Sequence, residues 1–134
     1  MELMCPAGSL EALEAAVQAG ADAVYFGVGD YNARRNAKNI SEEQLPQALA
    51  YCRLRGVRSY VTVNTLLSDR ELPRVSQLLE TLSREGADAA IVQDLGVLRL
   101  ARAVAPDLPV HASTQVTVHN LAGALACKEL GFSR

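Results

Sequence analysis

The stretch HASTQVTVHN, residues 111–120, gathers two histidines, two threonines, a serine, a glutamine and an asparagine behind the apolar lead-in DLPV. An otherwise aliphatic chain concentrates imidazole, hydroxyl and amide groups there. Asn64 and Gln93 follow two further apolar runs, and the segment NARRNAKN carries Asn32, Arg34 and Arg35. Amides, hydroxyls and an imidazole that converge on one place suit a pocket for a small polar ligand. A buried guanidinium needs an acid or a bound anion, and the loop around Arg34 and Arg35 offers only Asp30. The candidate ligand-binding set is therefore Asn32, Arg34, Arg35, Asn64, Gln93, His111, Ser113 and Gln115, with no catalytic residue singled out. The chain has no Ser-His-Asp order, H-E-x-x-H helix, phosphate loop or paired-cysteine site.

Each candidate also has a plainer role. His111 could be a hydrogen-bonded core histidine, and Asn64 a turn residue. Gln93 could bond a neighbouring loop backbone, and Asp94 could cap a helix starting at Leu95. Arg34, Arg35 and Lys38 could be a solvated loop face.

The elements that must position these residues alternate along the chain. Short apolar runs at 2–5, 23–27, 58–63, 89–93 and 109–113 read as strands of a parallel sheet buried under helices. Amphipathic segments at about 9–19, 42–55, 71–85, 94–104 and 117–130 read as those helices. Ser41 to Gln44 and Ser68 to Glu71 have capping-box spacing, while Gly20, Gly56, Gly86 and Gly131 stand where left-handed stops are needed. The fourth helix runs into PDLP, where proline stops it. The tetrapeptide GADA recurs at 20–23 and 86–89, a weak internal repeat.

This order predicts an α/β fold: a parallel (βα) repeat of about five units, forming a partial TIM-like barrel. A doubly wound dinucleotide fold would want G-x-G-x-x-G after the first strand, and CPAGSLEA lacks it. The candidate residues then fall at the carboxyl ends of strands, where such folds bind ligands. The 13 residues 28–40 also exceed the roughly two to six usual for a βα loop. Eight units need about 250 residues, and the chain reaches GFSR where a sixth strand would begin. Residues 1–134 are thus expected to form the N-terminal part of a barrel, with bare edges on the first and fifth strands.

With 134 residues and 49% apolar content the chain can bury one core. A net charge of −2 gives no global footprint for nucleic acid or an anionic membrane. No run is long enough to span a membrane and no signal peptide opens the chain, so a cytoplasmic location without membrane contact is expected. Cys5, Cys52 and Cys127 lack paired spacing and read as small buried thiols, with no cofactor held in this segment.

The sequence resembles the N-terminal barrel part of the collagenase-like peptidase family, the U-type peptidases numbered thirty-two. The resemblance rests on PAGSLEALEAAVQAGADAVYFG, YNARRNAKNIS, YVTVNTLLSD, ADAAIVQDLGVLRL and DLPVHASTQVTVHN, which cover nearly the whole chain in order. HASTQ and VNTLL are closest to the branch that makes 5-hydroxycytidine in large-subunit ribosomal RNA. For a full-length member the resemblance implies oxygen-independent RNA hydroxylation, an iron–sulfur cluster and prephenate as hydroxyl source. The family's cysteine-rich signature lies downstream, and Cys5, Cys52 and Cys127 do not match its ligands. In that setting Arg34 or Arg35 would pair with a small carboxylate ligand, and Asn64, Gln93, His111 and Gln115 would orient it. The alternatives are a peptidase acting on a peptide substrate, or a non-catalytic scaffold. Alone, this segment is expected to be inactive and to associate as a homo-oligomer through its open edges.

Overall fold

A computed structural model describes residues 1–33 and 39–134. Five strands, β1 (Met4–Pro6), β2 (Ala23–Gly27), β3 (Arg58–Val63), β4 (Ala89–Val92) and β5 (Val110–Ala112), form one sheet in the order β1-β2-β3-β4-β5. Every neighbouring pair is parallel. Helices α1 (Leu10–Gln18), α2 (Leu45–Leu54), α3 (Leu72–Glu85) and α4 (Leu95–Val104) fill the crossovers, and α5 (Leu121–Leu130) follows β5.

Side chains alternate between the two faces of a strand, so each strand divides its residues between two environments. Val24, Phe26, Val61, Val63, Ala90, Val92 and Val110 join one core with Leu13, Leu49, Leu79, Leu82 and Leu98 of the helices. The intervening residues Ala23, Tyr60 and Ala89 form a separate cluster, flanked by Tyr25 and Ile91. All helices therefore cover one face and leave the other concave. That is the layering of an open part of a TIM-like barrel, whereas a doubly wound sheet carries helices on both faces.

Local chemistry explains the boundaries. At Ser41 the backbone N–H donates to Gln44 Oε1 at 3.1 Å while Gln44 N–H donates to Ser41 Oγ at 3.3 Å. Ser68 N–H likewise donates to Glu71 Oε2 at 2.8 Å. Both boxes close in the turn before the helix, so α2 begins at Leu45, three residues later than the sequence suggests. The repeated GADA has a physical meaning: Asp22 Oδ2 accepts Leu3 N–H at 2.7 Å, and Asp88 Oδ2 accepts Ser59 N–H at 2.8 Å. Each aspartate thus ties the start of its strand to the strand before it. Gly86 ends α3 at φ 80°, where Arg53 Nη1 donates to the Glu85 carbonyl at 3.1 Å.

Three further expectations are corrected. The first strand covers 4–6 instead of 2–5, because the Leu3 carbonyl already accepts the N–H groups of Asp22 and Ala23. The last helix begins at Leu121, not 117. A short 3₁₀ turn, Thr114–Val116, precedes it, Thr117 turns left-handed at φ 62°, and Asn120 Oδ1 then caps α5 by accepting Gly123 N–H at 2.8 Å. The fifth strand's outer edge is also not bare: Ser133 N–H donates to Val110 O at 2.8 Å, and Ala112 N–H to Arg134 O at 2.7 Å. No helix among the described residues is long and apolar enough to cross a membrane.

Candidate functional site

The pairing register sets the site in rows. Thr62 pairs with Ile91 and Ile91 with His111, one row above Tyr25, Tyr60 and Ala89. Asn64 directly follows β3 and Ser113 directly follows β5, at the carboxyl rim. Two adjoining cavities open there. One of about 300 Å³ is lined by Pro6, Tyr25, Asn32, Thr62, Asn64 and Gln115 among others. The second, about 270 Å³, adds Met4, Ile91, His111, Ser113 and Arg134, and the two share Tyr25, Thr62, Asn64 and Thr114.

Each rim side chain is held by its own backbone surroundings. Asn64 Oδ1 accepts the Ala33 N–H at 3.0 Å. Ser113 is buried; its Oγ accepts Gln115 N–H at 3.3 Å and donates to Gln115 Oε1 at 3.2 Å. Asn32, only 2% exposed, donates from Nδ2 to Gly29 O at 2.9 Å. It lies so close over Gly27 that a Cβ on that glycine would sit 2.5 Å from Asn32 Cγ. Glycine is needed in β2 for that approach. Asp94 takes the plainer role: Oδ1 accepts Gly96 N–H at 2.7 Å as the cap of α4, and Oδ2 accepts Leu67 N–H at 3.1 Å.

At the lower end of the concave face lies a charged group that the sequence did not single out. Glu2 accepts the Tyr60 hydroxyl at 2.7 Å, pairs with Arg58 at 2.9 Å, and also binds Arg134. The Tyr60 and Arg134 hydrogen bonds hold the Glu2 carboxyl below its ordinary range. Burial, then the bond to Glu2, pushes the Tyr60 phenol up. His111 packs edge-on against Tyr60, with ring centroids 4.9 Å apart at 65°. Its pKa is lowered, by burial first and by Arg134 second, with Glu2 opposing, so the imidazole is held towards its neutral form. Glu2 and Arg134 are 132 residues apart in sequence. The available signal was Arg58, Tyr60 and Thr62 recurring at every second position of one strand, which places them together on one face.

Of the eight candidates, Asn32, Asn64, His111, Ser113 and Gln115 line the two cavities. Gln93 is half-buried at the end of β4 and lines neither. Arg34 and Arg35, with Lys38, lie outside the described residues. Sequence reasoning missed Tyr25, Thr62 and Arg134 as cavity walls. Cys5, Cys52 and Cys127 lie on β1, α2 and α5 and pack against the helix-side core. Burial pushes the Cys52 thiol up to about 11, the opposite of what a ligand thiolate requires. Among the described residues no three His, Cys, Asp or Glu side chains are placed to hold a metal ion. These cysteines do not fit an iron–sulfur cluster.

Residues 8–134 match the model of peptidase family U32. A protein of Porphyromonas gingivalis named collagenase is 38% identical over 120 residues, covering 89% of this chain and 28% of its own length. A tRNA hydroxylation protein of Bacillus subtilis is 35% identical across 99% of this chain and 32% of its own. A 23S ribosomal RNA 5-hydroxycytidine synthase of Escherichia coli is 36% identical across 100% of this chain and 20% of its own. The chain therefore spans less than a third of each of these relatives. Among solved structures, a U32 peptidase superposes with TM-score 0.76 at 16% identity, covering 98% of this chain and 56% of that one. An HMG-CoA lyase of Brucella melitensis gives 0.66 at 18%, covering 98% and 54%. At those identities the likeness is one of fold.

Proposed function

The chain belongs to peptidase family U32, and on that premise we propose that it forms the ligand-binding part of an RNA hydroxylase. The reaction proposed is oxygen-independent hydroxylation of cytidine in ribosomal RNA, with prephenate as the source of the hydroxyl group. The observation that carries this reading is the rim cavity, walled by amides and hydroxyls beside Tyr25 and Ile91. Such a wall suits a small polar ligand with an apolar body. Arg34 or Arg35 would supply the positive charge opposite its carboxylates. The relatives named for hydroxylation of tRNA and of ribosomal RNA, which match across nearly the whole chain, support an RNA substrate. Because Cys5, Cys52 and Cys127 do not fit a cluster, no step of this reading runs through one. We place the ligands of an iron–sulfur cluster in the parts of the relatives that this chain does not span, and expect residues 1–134 alone to be inactive.

The P. gingivalis relative named collagenase favours a second reading, a peptidase. Against it stands the wiring of the cavity: the Ser113 hydroxyl is bonded to Gln115, and the His111 ring packs on Tyr60. A nucleophile needs an adjacent base. Deleting the gene that encodes this chain and profiling nucleosides by mass spectrometry separates the two. The hydroxylase reading expects a hydroxylated nucleoside to vanish from RNA and to return with the intact gene. Unchanged RNA together with gelatin cleavage by the purified protein would establish the peptidase. Exposed Leu121, Leu125 and Leu130 on α5 support a homo-oligomer, which light scattering checks.

A further inference from the structure

Asn64 stands where the two cavities meet. An amide side chain has one oxygen that accepts and one nitrogen that donates, and the two are interchangeable by a flip until a partner fixes them. Here the partner is the backbone N–H of Ala33, 3.0 Å from Oδ1. A backbone N–H can only donate, so Asn64 is locked with its oxygen towards Ala33 and its Nδ2 on the opposite arm. Among the described residues no acceptor meets that nitrogen.

The neighbours share the bias. Gln115 Oε1 accepts from Ser113 Oγ at 3.2 Å; a hydroxyl can also accept, so this bond orients Gln115 less strictly than Ala33 orients Asn64. No Asp or Glu among the described residues lines either cavity, and the charged side chain that does, Arg134, is already paired with Glu2. A cavity built this way favours a ligand atom that accepts and disfavours one that donates. Tyr25, shared by both chambers, gives the ligand's apolar part a surface.

We propose that Asn64 is the specificity-determining donor of this cavity, selecting small ligands that place a carboxylate oxygen where the two chambers join. The proposal rests on reading the rim cavity as the ligand site, and it names the group that chooses the ligand. Asn64 also anchors Ala33 within the 28–40 segment, so one side chain reads the ligand and holds that backbone position.

Asn64→Asp separates those two tasks. A carboxylate still accepts the Ala33 N–H but presents oxygen where the nitrogen stood. The probes are benzoate and its same-shaped cation benzylamine, added to the ¹⁵N-labelled full chain. Benzoate should shift the Asn64 side-chain NH2 resonance and benzylamine should not. In Asn64→Asp, benzoate affinity should fall roughly tenfold or more, the effect of losing a hydrogen bond to a charged group. The Ala33 amide resonance should stay near its place; in Asn64→Ala it should move as well. Benzoate bound equally well by Asn64→Asp, benzylamine bound as well as benzoate, or no Asn64 shift at saturating benzoate would each overturn the proposal. If RNA hydroxylation proves independent of the gene while benzoate still shifts the Asn64 amide, the hydroxylase reading falls and the donor assignment stands.

Discussion

The two ends of the concave face use polar groups in opposite ways. At the lower end, Glu2, Arg58, Tyr60 and Arg134 bond to one another, each charge facing its opposite. At the carboxyl rim the side chains bond chiefly to backbone or to close sequence neighbours, as in Asn64 to Ala33, Asn32 to Gly29 and Ser113 to Gln115. A network that satisfies itself specifies structure and has little left to offer a ligand. A side chain held from behind, as Asn64 is with its Nδ2 arm unengaged, is preorganised for something that arrives. The same sheet therefore has a closed end and a receptive end, and the difference lies in where each polar atom's partner comes from.

The sharpest way to separate the ends is to disturb the rim from below. Gly27→Ala puts a methyl 2.5 Å from Asn32 Cγ, so the Asn32 side chain must shift from the position in which it bonds Gly29 O. Overpacking of this kind costs about 1–3 kcal/mol. Chemical denaturation should show that loss, and ligand binding at the rim should weaken while the Tyr60 hydroxyl keeps its bond to Glu2. Full stability with Gly27→Ala would mean that Asn32 is not fixed, and the preorganised rim would lose its anchor.

How much of this was legible beforehand follows from range. Strands at 23–27 and 58–63 were readable to the residue, because an apolar run bounded by Gly, Asp or Asn is a local signal. The 3₁₀ turn at 114–116 was not, since it depends on Ser113 folding back on Gln115 and on Thr117 turning left-handed. Asn64, His111, Ser113 and Gln115 could be placed at a rim from strand ends alone. Gln93, chosen by the same rule, lines neither cavity. The Glu2 group was hidden for a plainer reason: Glu2 and Arg134 meet only after five strands have curled.

A smaller effect is expected at the closed end. Glu2 is nearly enclosed, but Arg58 and Arg134 are more than half exposed, so solvent screens much of each pair. Glu2→Gln should therefore cost about 1 kcal/mol and leave rim binding unchanged. The sign with pH follows from the lowered Glu2 pKa: its contribution is complete above the ordinary carboxylate value and is lost as pH falls through the lower folded value. The variant should show a shallower loss of stability in acid. A large drop in rim affinity would show the two ends to be coupled.

The finest test concerns His111, the one rim candidate that also touches the closed end. Burial and Arg134 depress its pKa below the ordinary 6.5, with Glu2 acting against them. Between the depressed folded value and 6.5 the unfolded chain binds more protons than the folded one, so stability rises with pH across that window. Above 6.5 the contribution is complete, and it is lost as pH falls through the folded value. His111→Phe keeps a ring against Tyr60 and removes the titration. Its stability should match the parent at pH 8 and fall less steeply below 6.5, a change of slope with little change of height. A His111 resonance titrating at its ordinary value, or an unaltered slope in the variant, would put the imidazole in solvent and return it to the receptive end alone. The expected result makes it the point at which burial, reinforced by Arg134 and opposed by Glu2, keeps a cavity-lining group neutral.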